Sequence, residues 1–188
     1  MSKFEIIGGN TLSGEIVPQG AKNEALQVIC AVLLTEEEVV IENIPNIRDV
    51  NKLIELLSFL GVEVNKLKED TYSFKAKNID LNLIQTPEYS KLATGLRGSI
   101  MIVGPMLARF HKAFNPIPGG DKIGRRRLDT HYIGFEKLGA KVYFNPEISS
   151  YSISADKLKG LWQPQWQKAQ QLFSMLLVSL IFFSFAQC

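Results

Sequence analysis

Two cations and one glycine-rich loop carry most of the chemistry this 188-residue sequence offers. Lys22 and Arg97 lie 75 positions apart, each at the start of an expected helix. Free backbone N–H groups and the helix dipole favour an anion there, so the pair could hold a phosphate or a carboxylate. Asn23 adds an amide that both donates and accepts. The bland alternative for each cation is a solvated charge near a helix end.

The segment PIPGGDKIGRRRLDTH, Pro116 to His131, is the sharpest feature. Pro118-Gly119-Gly120 predicts an irregular loop with Asp121 at its tip. A carboxyl there could donate or accept a proton if closure over a substrate dried its surroundings. An ordinary polar turn residue is the competing reading. Lys122, Arg125, Arg126 and Arg127 form a compact cationic cluster suited to a diphosphate. It could equally be a solvated basic turn, and no interleaved aromatics support nucleic-acid stacking. Asp129 is expected to cap the helix that follows. His111 reads as surface or structural; His131 reads first as a packing or hydrogen-bonding residue, though its place just after the cationic cluster keeps it in play, and neither suggests a metal.

The elements that must position these groups alternate. Strands are expected at Phe4–Ile7, Val39–Ile44, Tyr72–Ala76, Lys141–Phe144 and Tyr151–Ser154, and helices at Ala25–Leu34, Asp49–Leu60, Tyr89–Ala93, Gly98–Ala108 and Asp129–Leu138. The class is therefore α/β. GAKNEALQVICAVLL from Gly20 overlays GLRGSIMIVGPMLAR from Gly95, placing Lys22 on Arg97. DVNKLIELLSFLGVEV from Asp49 overlays DTHYIGFEKLGAKV from Asp129 in the same way. Two copies of one unit are present, and a further copy is expected because so short a repeat seldom buries its face alone.

Composition limits the classes. With 21 basic and 19 acidic residues the net charge of +2 gives no nucleic-acid footprint. Two cysteines, Cys30 and Cys188, make neither a disulfide framework nor a metal site. The N-terminus lacks the apolar stretch of a secretory signal, so a cytoplasmic location is expected.

GAKNEAL at Gly20, NIPNIRDV at Asn43, LRGSI at Leu96, GPMLARF at Gly104 and PGGDKIGRRRLDTH at Pro118 together resemble the UDP-N-acetylglucosamine 1-carboxyvinyltransferase family of enolpyruvyl transferases. The last motif sets that family apart from the enzymes that enolpyruvylate shikimate 3-phosphate. The resemblance implies phosphoenolpyruvate and UDP-N-acetylglucosamine as substrates, release of phosphate, and a step committed to peptidoglycan, and thereby to cell shape and division. It implies no metal or organic cofactor. Lys22 and Asn23 would meet phosphoenolpyruvate, and Arg97 would serve the shared site. Arg126, Arg127, Leu128, Asp129 and Thr130 would hold the UDP-sugar, and Arg48 would stand near the closed cleft. Asp121 takes the place of the family's usual cysteine acid, which protonates the methylene carbon. Aspartate keeps that acid chemistry but cannot be alkylated as a thiol is, so insensitivity to fosfomycin is expected. Arg127 stands where the family usually has proline.

The implied fold is an inside-out α/β barrel of two lobes, each with three βαβαββ units. Residues 1–21 would be a strand segment belonging to the second lobe, and 22–160 about two of the first lobe's three units. Residues 161–188 resemble nothing in the family, and Leu172–Ala186 is an apolar run. Codons exist for Trp162–Gln187 that, shifted by two bases, give family-like KGTT and NAACEP segments. The tail is thus expected to be out of frame, with a membrane anchor as the competing reading. A catalytic transferase without its second lobe is expected to be inactive. The alternatives are a noncatalytic remnant with partial ligand binding and a tail-anchored fragment.

Overall fold

The computed structural model describes residues 3–9, 11, 13–117, 119 and 128–159. Two copies of one arrangement follow each other along the chain. The first runs α1 (Lys22–Ala31), β1 (Glu38–Ile41), α2 (Arg48–Phe59), β2 (Glu63–Lys66) and β3 (Tyr72–Lys75). A connecting helix, α3 (Pro87–Thr94), leads to the second copy. That copy opens with a 3₁₀ stretch at Arg97–Ile102 running into α4 (Val103–Phe110), then β4 (Lys112–Pro116), α5 (Asp129–Lys137), β5 (Lys141–Asn145) and β6 (Ser150–Ser154). Each copy shows the last five elements of the expected βαβαββ order.

The sheets repeat the equivalence strand by strand. β3 lies between β1 and β2, antiparallel to both, with Lys75 opposite Glu38 on one side and Glu63 on the other. β6 lies between β4 and β5 in the same sense, with Ser154 opposite Lys112 and Lys141. β1 and β2 are therefore parallel, as a helical crossover requires.

The helices form the interior. α2 buries Val50, Leu53, Leu56 and Leu57, one stripe at helical spacing, while its other face stays polar. α1 buries Ala25, Leu26, Ile29 and Cys30 against it, and α4 adds Val103, Met106 and Leu107. Burial of this kind contributes about 25 cal/mol for each Å² of apolar surface removed from water. The residues join one core that spans both copies.

The repeated Leu-Gly pairs end α2 and α5 identically. Gly61 and Gly139 take φ of +100° and +95°, which glycine adopts without a Cβ penalty. The amide of Gly61 donates to Ser58 and that of Val62 to Leu57; Gly139 and Ala140 donate likewise to Glu136 and Phe135.

Three expectations need correction. Phe4–Ile7 forms no strand: Phe4 and Ile6 are 96% and 90% exposed, and no ladder partner exists for them among the described residues. Strands β2 and β4 went unpredicted because Glu63–Lys66 is mostly polar and Lys112–Pro116 ends in proline. The helix expected at Gly98–Ala108 divides into 3₁₀ and α parts at Ile102–Val103. Among the described residues no helix is long and apolar enough to cross a membrane.

Candidate functional site

Four helical segments begin in the same way. Their N-cap residues are Ala21, Ile47, Leu96 and Leu128, side chains that cannot accept a hydrogen bond. α3 differs, its N-cap Thr86 accepting from the Tyr89 amide, whereas the 3₁₀ turns at Val32–Leu34 and Leu83–Gln85 and α4 also lack a side-chain cap. An uncapped N-terminus leaves donors for water or an anion. The residues just inside these four starts are Lys22, Arg48, Arg97 and Asp129, all among the sequence candidates.

Tertiary contacts bring the starts together. Lys22 Nζ meets Asp49 Oδ2 at 2.9 Å, joining the first turns of α1 and α2. Lys52, one turn further along α2, donates from Nζ to the Gly95 carbonyl at 2.8 Å, two residues before Arg97. A Cβ on Gly98 would stand 3.2 Å from Leu26 of α1, so α1 also meets the 3₁₀ segment closely. The charge of Arg97 acts in turn on His131, in the first turn of α5.

The flanking segments fit against the same end. Gly20 lies so near the Asn43 carbonyl that a Cβ would collide with it, and such a Cβ would also stand 3.2 Å from Pro45 Cδ. Glycine there lets the segment entering α1 rest on the NIPNIRDV loop. The loop after β4 is anchored by the Ile117 amide, which donates to Ser149, and by the Gly119 amide, which donates to Thr94. Asp121, Arg126 and Arg127 follow it, with Lys122 and Arg125, and lie outside the described residues.

Lys22, Asn23, Arg48 and Thr130 are exposed, and Arg97, Leu128 and Asp129 are half-buried. His131 is buried, and burial first, then Arg97, lowers its pKa, against a smaller opposite effect of the Leu128 backbone. That direction favours the neutral ring. Asp129 does not cap α5 as expected: Leu128 is the N-cap and Asp129 the first helical residue, where its charge still favours the helix dipole.

Behind this end, Asn115 Nδ2 donates to the Tyr132 hydroxyl at 2.9 Å, and Tyr132 stacks on Tyr151 with centroids 3.8 Å apart. Two residues at the site escaped the sequence reading. The sequence marks Asp49 as a helix start and not as the partner of Lys22, and gives no sign of Lys52. Neither is signalled locally, because their partners lie 27 and 43 residues away. No group of three or more His, Cys, Asp or Glu among the described residues could hold a metal ion. The arrangement suits a small anion.

Comparison with known proteins supplies a context. A family model described as EPSP synthase (3-phosphoshikimate 1-carboxyvinyltransferase) matches residues 6–182. The UDP-N-acetylglucosamine 1-carboxyvinyltransferase of Bacteroides fragilis is 58% identical over 160 residues, 85% of this chain and 37% of its own length. The protein of that name from Porphyromonas gingivalis is 49% identical over 162 residues, 86% of this chain and 37% of its own length. The enolpyruvyl transferase NikO from Streptomyces tendae shares the fold, with a TM-score of 0.63 at 22% identity over 81% of this chain and 32% of that one. An EPSP synthase from Acinetobacter baumannii shares it at a TM-score of 0.62 and 15% identity, over 88% and 37% of the two chains. The chain thus spans about 37% of the length of the curated relatives it matches.

Proposed function

This chain belongs to the EPSP synthase (3-phosphoshikimate 1-carboxyvinyltransferase) family, and from that premise we propose that it forms one wall of a site for enolpyruvyl transfer from phosphoenolpyruvate to UDP-N-acetylglucosamine. The observation that carries the proposal is the meeting of uncapped helix starts bearing Lys22, Arg48 and Arg97. They offer a preorganised positive field to a substrate with two anionic groups. The acceptor is assigned from the 58% identical relative and from the PGGDKIGRRRLDTH segment.

In this reading Lys22, Asn23 and Arg97 bind phosphoenolpyruvate, with Arg48 beside them. Arg126 through Thr130 hold the UDP-sugar. Asp121 gives a proton to the methylene carbon, which makes the adjacent carbon electron-poor and open to the acceptor hydroxyl. Loss of a proton and of phosphate then restores the double bond. These groups act by position and charge and call for no cofactor. With these two substrates a cytoplasmic location is proposed.

These 188 residues are proposed to bind without turning over by themselves, since closure around two substrates needs an opposing wall. The exposed row Phe4, Ile6, Ile7, Ile16 and Val17 supports the assignment of residues 1–21 to another lobe. Residues 161–188 are proposed to be out of frame although the family match runs to residue 182, to be tested by resequencing the DNA.

The test is phosphate release from the two substrates. The 188-residue chain alone should give none. A chimera carrying its residues 1–159 in place of the corresponding part of the Bacteroides fragilis relative should release phosphate, continue to do so in fosfomycin, and stop on Lys22→Ala. Turnover by the chain alone refutes the incomplete-site claim. An inactive chimera that binds neither substrate refutes the assignment.

A further inference from the structure

The proposed site already holds a negative charge of its own. Asp49, in the first turn of α2, meets Lys22 Nζ at 2.9 Å, and the two side chains remain 38% and 44% exposed. The ammonium that is proposed to grip a phosphoryl group is therefore engaged by a carboxylate when that group is absent. Lys52, on the same helix, donates to the Gly95 carbonyl and makes no ion pair with Asp49. We propose that Asp49 is a built-in counter-anion for Lys22, which keeps the ammonium at the mouth of the site and competes with the incoming phosphoryl group for it. The inference rests on the reading of Lys22 as an anion ligand.

The geometry fixes the sign. An anion within hydrogen-bonding distance of Lys22 stands only a few ångströms from the Asp49 carboxylate. Part of the attraction to Lys22 is then cancelled by repulsion from Asp49, in surroundings wet enough to screen both. Removing one unit charge at that range should tighten phosphate binding by roughly three- to tenfold at low salt, and by less as salt screens the site. A residue that merely supported α2 would show the opposite sign, because loosening the helix start disperses Lys22 and Arg48. Mere support of the α2 start and competition for Lys22 are separable for this reason. Asp49 is a positioning residue that sets affinity, and no chemical step is assigned to it.

The test titrates inorganic phosphate into the full 188-residue chain, following amide and lysine Nζ signals by NMR. Lys22→Ala comes first: if it leaves phosphate affinity unchanged, the reading of the site fails and this inference with it. If Lys22→Ala abolishes binding, Asp49→Asn should tighten it several-fold, with a shallower gain at high salt. Asp49→Ser guards against a local defect of the Asn variant and should change affinity in the same direction. Glu24→Gln removes a charge from the first turn of α1 that is not paired with Lys22, and should have a smaller effect. Unchanged or weakened binding in both Asp49 variants overturns the inference while leaving Lys22 as a ligand. Equal tightening by Glu24→Gln overturns it too, because the effect is then one of net charge and not of the pair.

Discussion

Replacing Arg109 by methionine removes the charge and the donors while keeping a long apolar stem, and tests what joins the two repeats. Arg109 sits in the last turn of α4, in the second repeat, and its acceptors lie in the first. Nη1 donates to the carbonyls of Leu33, Thr35 and Ala76 at 3.0, 3.1 and 2.7 Å. Nη2 meets Glu36 Oε1 at 3.1 Å, and the guanidinium lies 4.7 Å from the Phe110 ring centroid. Nη1 has two protons for three carbonyls, so the loss counts as two charge-assisted bonds of about 1.5 kcal/mol each. Partial rehydration of the freed carbonyls and loss of stem packing act in opposite directions, leaving an expected cost of about 2–4 kcal/mol. The Glu36 bridge is a weak contributor, because that side chain is 63% exposed, and Glu36→Gln should cost less than about 0.5 kcal/mol. Urea unfolding followed by circular dichroism measures both. A cost below about 1 kcal/mol for Arg109→Met, or equal costs for the two variants, refutes the view that carbonyl capture is what ties the repeats.

Gly20→Ala would drive a Cβ onto the Asn43 carbonyl, where backbone cannot yield cheaply. It should cost about 1–3 kcal/mol in the same unfolding assay and weaken phosphate binding through Lys22. Stability should also fall at both ends of the pH scale. Burial chiefly pushes the Tyr132 hydroxyl up to about 12, against a smaller effect of its bond to Asn115, and burial raises Tyr89 further still. The unfolded chain therefore loses these protons first, and stability present below pH 10 declines as pH rises through that value. His131 is displaced downward from 6.5, so the unfolded chain gains its proton first and stability declines as pH falls below that value. Melting temperature against pH checks both limbs, and His131→Gln should flatten the acid one.

Much of this was legible in the sequence because its signals are local and doubled. The apolar stripe of α2 and the Leu-Gly ends at Gly61 and Gly139 depend on neighbours within a few turns, and the overlay of Lys22 on Arg97 repeats a local pattern. The repeat then made each copy a check on the other. Polar β2 and proline-ended β4 were not legible, since their strand character comes from pairing with β3 and β6. Phe4–Ile7 misled for the converse reason: its pattern suits a strand, and the described residues provide none to pair with it. At the site, residue types revealed the cations but not their partners. Asp49 reaches Lys22, Lys52 reaches Gly95 and Arg109 reaches Ala76 only after the helices pack. Asp129 shows the limit of a capping rule, because Leu128 takes the cap position and its side chain makes no cap bond.

The central claim is that the uncapped starts of α1, α2, the 97–102 segment and α5 form one anion site. Titrating phosphoenolpyruvate into the isotope-labelled 188-residue chain and mapping the amide shifts tests it most directly. Saturable shifts gathered at Lys22, Asn23, Arg48, Arg97 and 128–130, and lost on Lys22→Ala, are the predicted result. Saturable shifts centred elsewhere, or none at all, would contradict the claim.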